Sequence, residues 1–117
     1  GIVLKPSFVT PGLASRQVSA ATVATVTWDV LRKTVPAELT GVAFLSGGHP
    51  TARVCAWLAA LNEVPDVPWN LTFSFGRALV NDALATWHGD PSRTAAAQEA
   101  LLANCADAAA STAVVTA

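Results

Sequence analysis

Three short β-forming runs separated by helical patterns constrain this chain more than any other feature. The runs cover residues 1–5, 41–45 and 71–75. The first two are apolar without alternation, and the third is rich in β-formers. Strands of this kind that alternate with helices build a parallel sheet covered on its faces. The intervening segments carry the helical signals. Ser19 reads as an N-cap, and the helix to about Thr34 places Val23, Val26, Val30 and Leu31 on one side, a period near 3.6. Val35-Pro36 ends it. Pro50 suits the first turn of a helix to about Asn62, with Val54, Trp57, Leu58 and Leu61 as its buried stripe. A third helix runs to about Trp87, and His88-Gly89 breaks it. Asp90 as N-cap and Pro91 at the first helical position open an alanine-rich helix to about Ala110. Residues 111–117 lack a helical period and are expected to be mobile.

The order is therefore strand, helix, strand, helix, strand, helix, helix. Three strands alone leave two open edges and a half-covered face. A closed β/α barrel without its first strands fits better. Composition agrees: of 117 residues, 52% are hydrophobic and only 13% charged, richer in apolar side chains than an ordinary small soluble domain and suited to a piece of a larger body. The chain opens directly in a strand without an initiator Met and contains no Tyr, which reads as a fragment of a longer product. The isolated segment, with unpaired parallel edges, is expected to aggregate or to be molten.

Several function classes fall away. The net charge is −1 with pI near 6.1 and no basic stripe, so nothing points to nucleic acid. No apolar run reaches membrane-spanning length; residues 95–110 are interrupted by Gln98, Glu99, Asn104 and Asp107. His49 and His88 are too few and too far apart for zinc spacings. Cys55 and Cys105 show no paired spacing and read as buried free thiols of a reducing compartment. The four tryptophans, Trp28, Trp57, Trp69 and Trp87, read as packing residues.

In a β/α barrel the active site lies at the C-terminal ends of the strands. Those ends carry Lys5, then Ser46-Gly47-Gly48, then Gly76-Arg77. A lysine closing an apolar run needs a chemical reason, because burying an unpaired charge is costly. A desolvated amine that becomes neutral can attack a carbonyl and form a Schiff base. Small residues just before a helix let backbone N–H groups approach an anion, and the positive helix end adds to the attraction. Arg77 supplies a planar fork suited to phosphate. A lysine amine beside two phosphate loops can hold a phosphorylated ketone. Its iminium would act as an electron sink for making or breaking the adjacent C–C bond, with no metal or other cofactor.

At this point a resemblance becomes specific. Leu4-Lys5-Pro6, Val9-Thr10-Pro11-Gly12, Arg32-Lys33-Thr34-Val35-Pro36, Phe44-Leu45-Ser46-Gly47-Gly48 and the run from Leu71 to Leu79 around Gly76-Arg77 resemble class I fructose-1,6-bisphosphate aldolase. The five blocks stand in the family's order at close to its spacing and cover about residues 1–105. The resemblance implies an α/β fold, with residues 1–110 forming strands six to eight of a (β/α)8 TIM barrel and its C-terminal helix. It implies a lyase of glycolysis and gluconeogenesis that reversibly cleaves fructose 1,6-bisphosphate to dihydroxyacetone phosphate and glyceraldehyde 3-phosphate. The partners implied are the phosphorylated sugar, the remainder of the barrel and further subunits of a homotetramer. The location implied is the cytoplasm, with a plastid as the alternative.

Lys5 matches the family's Schiff-base lysine. Ser46 and Gly47, with the backbone of Leu45, match one phosphate loop; Gly76 and Arg77 match the second, and Ser74 lies beside them. The family's acidic residues and other lysines lie on earlier strands, so the segment alone is expected to be inactive. His49 stands where the family usually has Gln, Phe75 where it has Tyr, and Val80 where it has Gln; the functional Tyr of the family's tail has no counterpart. Two other readings are a non-catalytic phosphate- or partner-binding remnant and another Schiff-base lyase of the same architecture.

Overall fold

The computed structural model describes residues 1–12 and 14–113. The elements follow in the expected order: β1 (Val3–Leu4), α1 (Ala20–Thr34), β2 (Gly41–Phe44), α2 (Thr51–Asn62), β3 (Asn70–Phe73), α3 (Arg77–Trp87), a 3₁₀ turn (Pro91–Arg93) and α4 (Thr94–Ala110). Two caps are those that the sequence predicts, at Ser19 and Asp90, whereas Pro50, expected in the first turn of α2, is its N-cap residue. The Ser19 side chain accepts from the Thr22 amide, and the Asp90 side chain accepts from the Ser92 amide with Pro91 following it. The alanine-rich helix differs in its first turn, which Pro91–Arg93 winds as 3₁₀.

The strands form one parallel sheet in the order β1-β2-β3. Val3 pairs with Gly41, Leu4 with Val42, and Gly41 to Phe44 pair with Asn70 to Phe73. Successive side chains point to opposite faces of a strand, and burial splits accordingly. Val42, Phe44 and Leu71 are buried, whereas Val3 and Thr72 on the other face are exposed. The buried face shares one core with Val23 and Leu31 of α1 and Val54, Trp57, Leu58 and Leu61 of α2. The sheet is thus covered on one face. The first run departs from the expectation of a buried strand: Ile2 and Val3 are 74% and 56% exposed, because β1 is an edge with only β2 beside it.

Helix α1 also departs from the expected stripe. It buries Val23, Ala24, Thr27 and Leu31, while Val26 and Val30 are exposed. Each residue turns about 100° around a helix. Val26 and Val30 therefore stand one step off the seam set by Thr27 and Leu31. Thr27 occupies the seam because its Oγ1 accepts from the Val9 amide at 3.0 Å. Trp57 and Trp69 are buried, and Trp69 donates from Nε1 to the Pro36 carbonyl at 2.7 Å. Trp87 instead is 42% exposed, since it closes α3 over an open apolar groove that it lines with Val80, Leu84 and Leu101.

The last helix is fastened by buried amides. Asn62 Nδ2 donates to the carbonyls of Leu58, Leu71 and Ser111, joining α2, β3 and the end of α4. Ser111 is itself buried, and its Oγ donates to the Ala108 carbonyl. Residues 114–117 of the expected mobile tail lie outside the described residues. A buried acceptor that loses its donor costs about 1–3 kcal/mol. Asn62→Leu is therefore expected to lower unfolding stability by that amount in a urea titration of the full-length protein. A loss below about 0.5 kcal/mol, the range of an ordinary surface change, would show that Asn62 fastens nothing.

Among the described residues, no helix is long and apolar enough to cross a membrane.

Candidate functional site

All three strands run in the same direction, so their C-terminal ends share one edge of the sheet. The connections there are tied together by backbone hydrogen bonds. Leu45 donates to the Pro6 carbonyl at 3.0 Å, and Ser74 donates to the Phe44 carbonyl at 2.8 Å. Lys5, Leu45-Ser46-Gly47 and Ser74-Phe75-Gly76-Arg77 are the residues at these three exits.

Lys5 follows β1 and is exposed, not buried as the apolar run before it suggests, because β1 is an edge of the sheet. Continuing the register by one residue sets it beside Ala43, which pairs with Thr72. Lys5 thus belongs to the uncovered face of the sheet. The next turn of chain is held from the other side. Phe8 is buried, stacks on Phe44 at 4.3 Å between ring centroids, and meets Trp57 edge-on at 5.3 Å. Phe8 was not among the expected core residues. It lies in a loop, and its aromatic partners come from distant elements.

The second exit is a tight turn. His49 donates its backbone N–H to the Ser46 carbonyl at 3.2 Å, while Gly47 and Gly48 have φ of 62° and 82°. Side chains rarely adopt such angles, so the two glycines are a condition of this turn. Ser46 is buried, whereas Gly47 and Gly48 are exposed. Neither glycine amide donates to any group among the described residues. The third exit leads into α3 through Gly76, whose carbonyl accepts from Leu79 and Val80. The first amides of a helix have no intrahelical acceptor, so the amides of Gly76, Arg77 and Ala78 are left to an outside partner.

Arg77 crosses from the third exit to the second. Its guanidinium lies against Gly48: a Cβ built there would fall 3.0 Å from Nη1, 3.2 Å from Cζ and 3.3 Å from Nη2. Arg77 forms no salt bridge among the described residues. A cavity of about 200 Å³ opens beside this contact, lined by Gly48, His49, Thr51, Arg77, Asn81 and Asp82 among others. Its floor is fixed by buried polar groups. Thr51 Oγ1 donates to the Ala78 carbonyl, bringing the starts of α2 and α3 together. Asn104 Nδ2 reaches the same carbonyl at 3.4 Å, the Leu79 carbonyl at 3.2 Å and Asp82 Oδ2 at 3.0 Å.

The structure therefore joins Arg77 to the Ser46-Gly47-Gly48 turn, with Ser74 and Gly76 alongside in the chain. Lys5 stands on the same edge of the sheet and is not among the residues lining that cavity. Sequence reasoning assigned no part to Thr51, Asn104 or Asp82. A Thr after a helix-opening Pro is ordinary, and only the fold reveals that its hydroxyl serves the neighbouring helix. His49 lies edge-on to Trp57 at 4.9 Å, with Nδ1 3.5 Å from Arg53 Nη1.

No cluster of three or more His, Cys, Asp or Glu side chains among the described residues is placed to hold a metal ion. Cys55 is buried, and burial, followed by the Asp107 charge, pushes its thiol up; a protonated thiol is a poor nucleophile. Cys105 is only partly buried, short of the expected full burial, because α4 leaves that side open.

The family model for class I fructose-bisphosphate aldolase, a glycolytic family, matches residues 1–116. The chloroplastic fructose-bisphosphate aldolase 3 of Arabidopsis thaliana is 46% identical over 103 residues, covering 87% of this chain and 26% of that protein. The cytoplasmic isozyme 1 of Pisum sativum is 44% identical over 106 residues, covering 90% of this chain and 30% of that protein. A solved structure of fructose-bisphosphate aldolase from Plasmodium falciparum, in complex with TRAP and a small-molecule inhibitor, superposes with a TM-score of 0.87 at 39% identity. It covers 94% of this chain and 32% of that one. The chain spans less than a third of the length of these relatives.

Proposed function

This chain belongs to the class I fructose-bisphosphate aldolase family, and we propose that the protein carrying it reversibly cleaves fructose 1,6-bisphosphate into dihydroxyacetone phosphate and glyceraldehyde 3-phosphate. In this reading β1, β2 and β3 are strands six, seven and eight of a (β/α)8 barrel, and the uncovered face of the sheet is its interior. The rest of the barrel supplies the missing strands and the proton-transfer groups, so the 117 residues alone are inactive. The complete protein works as a homotetramer in the cytoplasm or a plastid.

The reading rests on one observation above the others. The guanidinium of Arg77 lies on the glycine turn that follows β2, beside amides that have no protein acceptor. Amides of Gly47, Gly48 and Gly76 with a cation between them suit an oxyanion with several acceptor oxygens, which describes a phosphate. Leu45 and Ser46 set the turn, and Ser74, exposed and tied by its amide to the Phe44 carbonyl, offers a hydroxyl at the third exit. Asp82 makes the cavity wall next to α3 less welcoming to an anion, which favours the side of the turn that the glycine amides face.

A phosphate anchored there leaves a sugar carbonyl to Lys5. The neutral amine attacks the C2 ketone, and a proton delivered by the rest of the barrel lets the new hydroxyl leave as water, giving an iminium. The bond between C3 and C4 breaks, its electron pair moves into the iminium to give an enamine, and the aldehyde product departs as its hydroxyl loses a proton. The enamine then takes a proton at C3, and water releases dihydroxyacetone phosphate and restores the amine. The chemistry uses this chain's lysine and its phosphate-binding groups and needs no cofactor.

Borohydride added with dihydroxyacetone phosphate reduces such an imine and leaves a permanent adduct on Lys5, visible by peptide mass analysis. Absence of the adduct in the full-length protein would sink the Schiff-base reading. If phosphate still bound, a non-catalytic remnant would be the better account. Arg77→Ala tests the anchor. The loss of a charge-assisted hydrogen bond, about 1.5–3 kcal/mol, raises KM for fructose 1,6-bisphosphate roughly tenfold to a hundredfold. Equal losses for an unphosphorylated ketose would remove the phosphate role.

A further inference from the structure

We infer that Gly48 is a positioning residue for Arg77: the absent side chain at Gly48 is the bed on which the guanidinium lies. This deepens the phosphate-anchor reading above and rests on it. Three atoms of the guanidinium, Nη1, Cζ and Nη2, stand 3.0, 3.2 and 3.3 Å from where a Cβ on Gly48 would be. Near-equal distances to three coplanar atoms describe a flat group lying over the backbone, not a tip that grazes it. Such separations are closer than ordinary van der Waals contact between carbon and its neighbours, so a Cβ at this position moves the plane by a few tenths of an ångström off its bed. Gly47 differs. A Cβ there would meet only Leu45 Cδ1 at 3.5 Å and the His49 ring at 3.8 Å, so its constraint is conformational alone.

The arrangement has a physical purpose. Arg77 is exposed, makes no salt bridge among the described residues, and has a long side chain with many rotamers. Ordering such a side chain when substrate binds costs affinity. Resting the plane on Gly48 restricts it in advance beside the amides of the turn. The steric demand crosses from β2's exit to α3's first residue, and the Thr51 bond to the Ala78 carbonyl keeps those two elements in step.

The test is a double-mutant cycle in the full-length protein, reading KM and kcat for fructose 1,6-bisphosphate. Gly48→Ala is expected to raise KM about threefold to tenfold with kcat little changed. In an Arg77→Ala background the same substitution is expected to add less than about twofold, because its effect runs through Arg77. Gly48 also has φ of 82°, so alanine there strains the backbone. That strain lowers thermal stability in both backgrounds, and any effect it has on KM through the Gly48 amide also appears in both, so only the part of the KM change lost with Arg77 reports the guanidinium. Gly48→Asn repeats the cycle with a residue that tolerates left-handed backbone, in case alanine prevents folding. Independent, multiplying effects on KM in both cycles would overturn the role assigned to Gly48 while leaving the phosphate anchor intact. An Arg77→Ala variant with unchanged KM would remove the anchor itself.

Discussion

Replacing Lys5 by arginine in the full-length protein is expected to reduce cleavage of fructose 1,6-bisphosphate by a factor on the order of 10⁴ or more. Arginine keeps the positive charge and the reach, so electrostatic attraction for the substrate survives. It cannot lose a proton at any working pH, so no nucleophilic amine forms and no imine follows. The loss should therefore fall on kcat, with KM moved only a few-fold, and the borohydride adduct should disappear with it. Lys5→Ala should match Lys5→Arg in rate, since both lack the nucleophile. A variant retaining more than about one-hundredth of the activity would show that Lys5 contributes charge and not covalent chemistry. Lys5 takes no part in the core that the sheet shares with α1 and α2, so its replacement leaves the packing of β1 against β2 in place.

The parts of the fold legible in the sequence are those governed by local rules. Val54, Trp57, Leu58 and Leu61 recur at helical spacing and are all buried. Ser19 and Asp90 cap where a cap is expected, because their side chains bond amides only two or three residues away. The strand order follows from alternation of apolar runs with helices. What depends on remote partners was not legible. Phe8 is core because Phe44 and Trp57 meet it there, and nothing in the Pro6–Thr10 stretch announces this. Val26 and Val30 look as apolar as Val23, but the Val9 amide selects Thr27 for the seam.

The site divides in the same way. The unusual residues at the three strand exits stand out by type alone, which is why Lys5, Ser46, Gly47 and Arg77 were visible. Gly48 was visible only as part of a turn. Its contact with Arg77 joins two exits and depends on the relative placement of α2 and α3, which Thr51 and Asn104 secure through carbonyls no sequence pattern marks. Ile2 and Val3 show the limit of the pattern: an apolar run marks a strand, but their exposure follows from β1 having only β2 beside it.

Phe44→Ala is expected to cost about 3–5 kcal/mol, the range for removing a large aromatic side chain from a core. Against the 5–15 kcal/mol typical of a domain, this would move a guanidinium chloride unfolding midpoint by a large fraction of its value. Phe44 has no exposed surface, stacks on Phe8 with ring planes 9° apart, and lends its carbonyl to the Ser74 amide. It therefore sits beneath all three exits. Phe8 leads back to Lys5, Leu45-Ser46-Gly47 follow Phe44 directly, and Ser74 precedes Gly76-Arg77. A cavity at Phe44 should loosen the turn that carries the phosphate amides as well as the loop after Lys5. The surviving folded enzyme should then show a raised KM for the bisphosphate and a lowered kcat together, whereas Arg77→Ala moves mainly KM and Lys5→Arg mainly kcat. Phe44→Leu keeps most of the apolar volume and loses the ring stacking, a contribution of about 0.5–1.5 kcal/mol. It should fall well short of alanine in stability and leave both kinetic constants close to wild type. An alanine variant less than about 1 kcal/mol below wild type would show that the core collapses around the gap and that Phe44 does not support the site.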